Sequence, residues 1–170
     1  MFPVPGDNIR LSKPTIAAVN GVAFAGGWMI AQACDLCVAS STARFAVTEV
    51  KVGRSSPWAA PLIHMIPQRI MMEILLTGKP ISAQRAYEIG LVNRVVPKGQ
   101  GLAAALELAG KIAANAPLVV QAMKAIARDT LPLSPTERYY PQRSMLDGIA
   151  NSQDIQEGVA SFKEKRPPKF

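Results

Sequence analysis

The chain has 170 residues, 49% of them hydrophobic and 18% charged, with a formal net charge of +7. That composition fits a globular chain long enough to bury a core, and it excludes a disordered or low-complexity protein. No apolar run reaches the roughly 18–20 residues of a membrane-spanning helix. The basic residues are spread through both halves without interleaved aromatics, which speaks against nucleic-acid binding; their densest cluster is the tail Lys163 to Lys169.

Residues 1–12 hold Pro3, Pro5, Gly6 and Asp7 and predict an irregular lead-in. They lack the basic-then-apolar pattern of a leader, so a cytoplasmic setting is expected. Thr15 to Val19 is short, apolar and partly β-branched, the pattern of a buried strand. Asn20-Gly21 signals a turn. Ala25-Gly26-Gly27 then opens an apolar run to Ala33, which predicts a helix. Residues without bulk let the chain turn sharply and let a ligand approach the backbone. The first N–H groups of such a helix have no intrahelical acceptor, and with the positive end of the helix dipole they suit a negatively charged oxygen. Leu36 to Ala39 predicts a second strand and Phe45 to Val50 a third, which carries Glu49. The residues alone leave two readings open: an oxyanion site beside an acid/base group, or a tight turn with close helix packing beside a surface carboxylate.

Residues 51–61 read as a loop and Leu62 to Ile66 as a short helix; it holds His64, the chain's one histidine, which is more simply a surface or packing residue than a catalyst. Pro67 and Gly78 bracket a helix over 67–77. Met71, Met72, Ile74, Leu75 and Leu76 make it apolar on more than one side, which predicts burial. Ser82 reads as the N-cap of a short helix ending at Gly90, and Leu91 to Val96 as a strand closed by Pro97. From Gly101 onward the pattern is helical. Leu102, Leu106, Ala109 and Ala113 mark one face, Asn115 and Pro117 open the next helix, and Ser134-Pro135-Thr136-Glu137 forms a capping box. A last helix is expected from about Gln153 to Lys165, with Ile155, Val159 and Phe162 inward. Cys34 and Cys37 are spaced C-x-x-C without a second pair or a nearby histidine, so buried reduced thiols are expected and no metal is implied.

The stretch KPTIAAVNGVAFAGG…ACDLCVAS…ARFAVTEVKVG resembles the crotonase superfamily, the enoyl-CoA hydratases and isomerases. Lys13, Pro14, Asn20, Gly21, Gly26, Gly27, Cys34, Asp35, Phe45, Glu49 and Gly53 match that pattern. The likeness continues through residues 76–97 to EGVASFKEKR at 157–166 and spans almost the whole chain. It implies an α/β fold: a spiral of β-β-α units, incomplete here, over residues 1–98, and a helical trimerisation region over 99–170. The family's alanine-rich loop, with one oxyanion donor and most coenzyme A contacts, has no counterpart in residues 1–12. An incomplete spiral exposes a sheet edge and one side of its core, so the chain is expected to associate.

The resemblance also implies chemistry. The partner is an acyl-CoA thioester, with coenzyme A part of the substrate and no separate cofactor. The N–H of Gly26 becomes an oxyanion donor and Glu49 an acid/base group. Phe45, Val47, Val50 and Trp58 around Glu49 suit a general base. Ala25, Gly27, Met29 and Trp58 fall at the acyl group, and Lys165 at the coenzyme A phosphates. The hydratases carry a second glutamate one helical turn after the oxyanion glycine, where this chain has Met29. A residue that holds no proton there resembles the enoyl-CoA isomerases, which need a single carboxylate. A hydratase-type lyase with a different second residue, and a non-catalytic assembly subunit, are the alternatives. A homotrimer or hexamer is expected, with neither nucleic acid nor membrane as partner.

Overall fold

A computed structural model describes residue 9 and residues 11–130 and 148–170. The capping box at Ser134 to Glu137 lies outside them. The chain divides into two compact units, one of residues up to Leu11 and Thr15–Leu108, the other of Ser12–Pro14 and Ala109–Phe170.

The first unit is built from short parallel strands. β1 (Ile16–Val19) pairs with β3 (Leu36–Ser40), and β3 with β6 (Arg94–Val96), all parallel. A second sheet sets β2 (Val22–Phe24) parallel to β4 (Arg44–Ala46), with β5 (Ile81–Ser82) antiparallel on its far side. Parallel strands need crossovers. Helix α1 (Gly26–Ala33) crosses from β2 to β3, and α2 (Gln68–Thr77) and α3 (Ala83–Glu88) lie between β4 and β6 in the chain. Two successive β-β-α passes, β1-β2-α1 and β3-β4 with the helices after it, give the expected α/β spiral. Trp28, Val38, Phe45, Val47 and Leu62 are the large side chains that fill its core.

Caps and turns fall where the sequence puts them. Gly78 ends α2 at φ 59°, in the left-handed region that glycine takes without a Cβ penalty. The Ser82 hydroxyl accepts from the Arg85 N–H at 3.1 Å and starts α3. The expectations need correction at four places. The sequence carries no strand expectation for Val22 to Phe24; these three residues gain a strand's conformation from pairing with β4. The third strand does not reach Val50. It stops at Ala46 because its partner β2 stops at Phe24, where the chain turns into α1, so residues beyond Ala46 have no ladder to join. A 3₁₀ turn, Glu49–Val52, follows instead, closed by Gly53 at φ 68°. A second 3₁₀ segment, Pro57–His64, replaces the expected short helix at 62–66. Finally, α2 buries only Met71 and Ile74 fully, and leaves Met72 and Leu76 exposed.

Cys37 lies buried on β3, tied to Asn93 by two 2.8 Å bonds: its N–H donates to Asn93 Oδ1 and its carbonyl accepts from the Asn93 N–H. Burial, with a smaller contribution from Cys34, pushes the Cys37 thiol up to about 12. The thiolate is the nucleophile, so Cys37 is expected to resist iodoacetamide at pH 8 in the native protein and react on unfolding, as read by mass spectrometry.

Helix α4 (Gly101–Ala113) runs across the division between the units. It buries Gly101 and Ala105 while Leu102 and Leu106, on the stripe read from the sequence, stay exposed. In the second unit α5 (Pro117–Thr130) and α6 (Gln153–Glu164) pair at their starts, where Asp154 accepts from the Leu118 N–H at 2.8 Å. That carboxylate meets one of α5's orphan donors. Lys124 Nζ donates to the Lys13 carbonyl at 2.6 Å. On α6, Ile155 is half-buried, but Val159 and Phe162 are exposed, Phe162 by 86%, against the expected inward face.

The end of the chain folds back on α6. Arg166 grips Glu157 with both Nη atoms, at 2.6 and 2.9 Å, and the Lys169 N–H donates to Glu157 Oε1 at 2.6 Å. The Arg166 hydrogen bonds, then the Lys169 N–H, hold the Glu157 carboxyl down to about 2. A lowered carboxyl stabilises the fold above the unfolded carboxylate value and loses that contribution as pH falls through the folded one. The tail latch is therefore expected to hold at pH 5 and to release as pH drops from about 4.5 towards 2. In Arg166→Ala the release should move up towards the ordinary range, read from the Glu157 carboxyl resonance.

Candidate active site

The site grows from the junction of β2 and α1. Ala25 links them at φ 49°, ψ −120°, a conformation that costs a residue with a Cβ about 1–3 kcal/mol. Two hydrogen bonds hold it there. The Ala25 N–H donates to the Ala46 carbonyl at 3.0 Å, and the Ala25 carbonyl accepts from the Met29 N–H at 3.0 Å. Gly26, Gly27 and Trp28 follow as the first helical residues, whose N–H groups have no intrahelical acceptor. Gly26 and Gly27 are exposed, and a Cβ added at either would meet no protein atom within 4 Å. Close packing against a neighbour is therefore not what these two glycines serve. They leave the first turn of α1 open to whatever approaches it.

Trp28 anchors that turn. It is 1% exposed and meets Phe45 of β4 edge to face, with ring centroids 5.8 Å apart and planes at 70°. Met29 follows, half-buried, with no group able to carry a proton.

Glu49 opens the first 3₁₀ turn, three residues after the Ala46 carbonyl that holds Ala25. Its Oε1 accepts from the Trp58 indole N–H at 2.8 Å, while its Oε2 is buried and has no hydrogen-bond partner. A buried carboxylate oxygen left unpaired is costly in a purely structural role and common where a group must react. The Trp58 carbonyl in turn accepts from Gln32 Nε2, at 2.5 Å, near the end of α1. The structure thus links Ala25, Gly26, Gly27, Met29, Glu49 and Trp58 around one helix in the first unit. Lys165, the remaining expected site residue, belongs to the second unit, where it ends α6 at φ 52°.

Gln32 and Trp28 were not anticipated. Gln32 is the only polar side chain in α1, and a lone amide in an apolar helix is the signal that marks it. A cavity of about 170 Å³ lies elsewhere in the first unit, lined by Gln32, Cys34, Asp35, Cys37 and Asn93 among others, and neither Gly26 nor Glu49 borders it. Among the described residues no three His, Cys, Asp or Glu side chains gather as a metal site would need, and no single helix is long and apolar enough to cross a membrane.

The chain belongs to the enoyl-CoA hydratase/isomerase family, whose pattern matches residues 8–170. It is similar to the enoyl-CoA hydratase EchA19 of Mycobacterium tuberculosis, 42% identical over 95% of this chain and 61% of that protein. It is also similar to the carnitinyl-CoA dehydratase of Proteus mirabilis, 40% identical over 94% of this chain and 64% of the relative. The fold matches the crystal structure of an enoyl-CoA hydratase from M. tuberculosis H37Rv with a TM-score of 0.90 and 42% identity, over 93% of this chain and 64% of that one. The chain therefore spans somewhat over three fifths of the length of the relatives it matches.

Proposed function

We propose that this chain takes part in chemistry on an acyl-CoA thioester, with Glu49 moving a proton and the Gly26 N–H holding the thioester oxygen. The observation that carries this is Glu49 itself: one oxygen tied to Trp58 and the other buried and unengaged, with Trp58 in turn bonded to α1, the helix whose first turn is open. With one carboxylate and one helix start, a double-bond shift balances. Glu49 takes a proton from C2 of a 3-enoyl thioester. The electron pair moves onto the thioester oxygen, where the Gly26 N–H stabilises it. The same carboxyl returns the proton at C4, and the double bond ends between C2 and C3. Ala25, Gly27, Met29 and Trp58 border the acyl group in this reading; Lys165, in the second unit, is proposed separately as a point charge for the coenzyme A phosphates.

A second reading has specific support, since the two relatives named above are a hydratase and a dehydratase. Water addition needs a further group to hold the water, and Met29 does not supply it. Incubation with 3-enoyl and 2-enoyl thioesters separates the two. Isomerisation gives a product of unchanged mass; a 3-hydroxyacyl product overturns it in favour of hydration. Calorimetry with acetoacetyl-CoA, an enolate mimic, supports the site if it binds in the micromolar range. Absence of both binding and turnover assigns the chain to a non-catalytic, assembly role. The same proposal includes a homotrimer or hexamer. Exposed Leu102 and Leu106 on α4, and Val159 on α6, support association, which sedimentation tests directly.

A further inference from the structure

We propose that Trp58 and Gln32 are positioning residues that make Glu49 a one-sided base whose place is measured from the same helix that offers the oxyanion N–H; this rests on the acyl-thioester reading above. The chain of contacts is short. Gln32 Nε2 donates to the Trp58 carbonyl at 2.5 Å, and the Trp58 indole donates to Glu49 Oε1 at 2.8 Å. Indole nitrogen donates and never accepts, so this bond has one polarity and favours a carboxylate acceptor. It fixes Oε1 and leaves Oε2, buried and unpartnered, as the oxygen free to meet a proton. A base that removes a proton at one carbon and returns it at another two atoms away gains from having a single reactive oxygen on a fixed pivot.

The link to α1 supplies the second half of the argument. Gln32 sits on the helix whose first turn presents Gly26. Seven residues of rigid helix separate them along the chain, counting both ends. Trp58 is therefore held from the oxyanion helix as well as by its own 3₁₀ segment. At Glu49's own end, Ala25 is bonded to Ala46 at 3.0 Å. The base and the oxyanion donor are thus tied at both ends of α1, and a small displacement of that helix moves both together. Misplacement of a reacting group by about 1 Å costs on the order of 10²-fold in rate.

Trp58 differs from an ordinary packing residue in that its function depends on one N–H, and the chain has only two tryptophans. The ¹H–¹⁵N spectrum of the intact chain therefore carries two indole signals, assigned by the loss of one in Trp58→Phe. The Trp58 signal is expected downfield, moving upfield in Glu49→Ala and also in Gln32→Met, while that of Trp28 stays in place. An unmoved Trp58 signal in Glu49→Ala overturns the proposal whatever the activity. In turnover, Trp58→Phe keeps the ring and loses the donor. It is expected to lower kcat by about 10²-fold with KM little changed. Unchanged kcat in a cooperatively folded Trp58→Phe overturns the positioning role while Glu49→Gln inactivity keeps the functional reading. No turnover by the wild type with the indole signature intact does the reverse, overturning the functional reading and supporting the anchoring of Glu49.

Discussion

Glu49→Gln is expected to lower turnover of an enoyl-CoA thioester by about 10²–10⁴-fold, the usual contribution of a positioned acid/base group. Glutamine has nearly the same shape and still offers an acceptor to the Trp58 indole, so the bond at 2.8 Å has a successor and the fold is retained. What disappears is the basic oxygen. With the carbonyl on the indole, the unengaged, buried Oε2 gives way to an amide NH₂ that neither takes nor returns a proton. The loss should fall on kcat, with thioester binding and thermal unfolding close to wild type. Steady-state kinetics beside a melting curve checks this. Activity left intact in a folded Glu49→Gln chain removes the single-base mechanism.

Trp28→Ala has the largest expected effect on stability, a loss of about 3–5 kcal/mol. Trp28 is 1% exposed and loses both its buried area and its edge-to-face contact with Phe45. The cavity opens under the first turn of α1, so the direction of the Gly26 N–H suffers with the core. Trp28→Phe keeps a ring and should lose less. Phe162→Ala, at a side chain 86% exposed, should lie within about 0.5 kcal/mol of wild type. Urea unfolding of the three variants orders them, and a Trp28→Ala chain as stable as Phe162→Ala would contradict the packing described here.

The sequence reads well where a local signal and the global fold agree. Thr15 to Val19, Leu36 to Ala39, the helix ended by Gly78 and the helix begun by Ser82 all carry their own punctuation, and their positions match within a residue or two. It reads poorly where a neighbour decides. Val22 to Phe24 is a strand only because Arg44 to Ala46 lies beside it. Phe45 to Val50 has the composition of a strand throughout, but its ladder ends with β2, and Glu49 leaves on a 3₁₀ turn. The apolar residues of α2, α4 and α6 show periodicity without showing which face is covered, so Leu76, Leu106 and Phe162 are exposed. At the site, Glu49 and Gly26 were legible through turn chemistry and family likeness. The Gln32 to Trp58 bond joins residues 26 apart and leaves no spacing to find.

Ala25 bears on how this chain responds to engineering. A residue with a methyl group held at φ 49° makes the chain less stable than a glycine there would allow. Glycine would relax the native backbone but would also widen the choices open to it in both the folded and the unfolded state. The alanine narrows those choices, so the helix start keeps one direction even before a ligand arrives. Stability and aim are set against each other at this single position, and a screen that selects for melting temperature alone would tend to trade the second for the first.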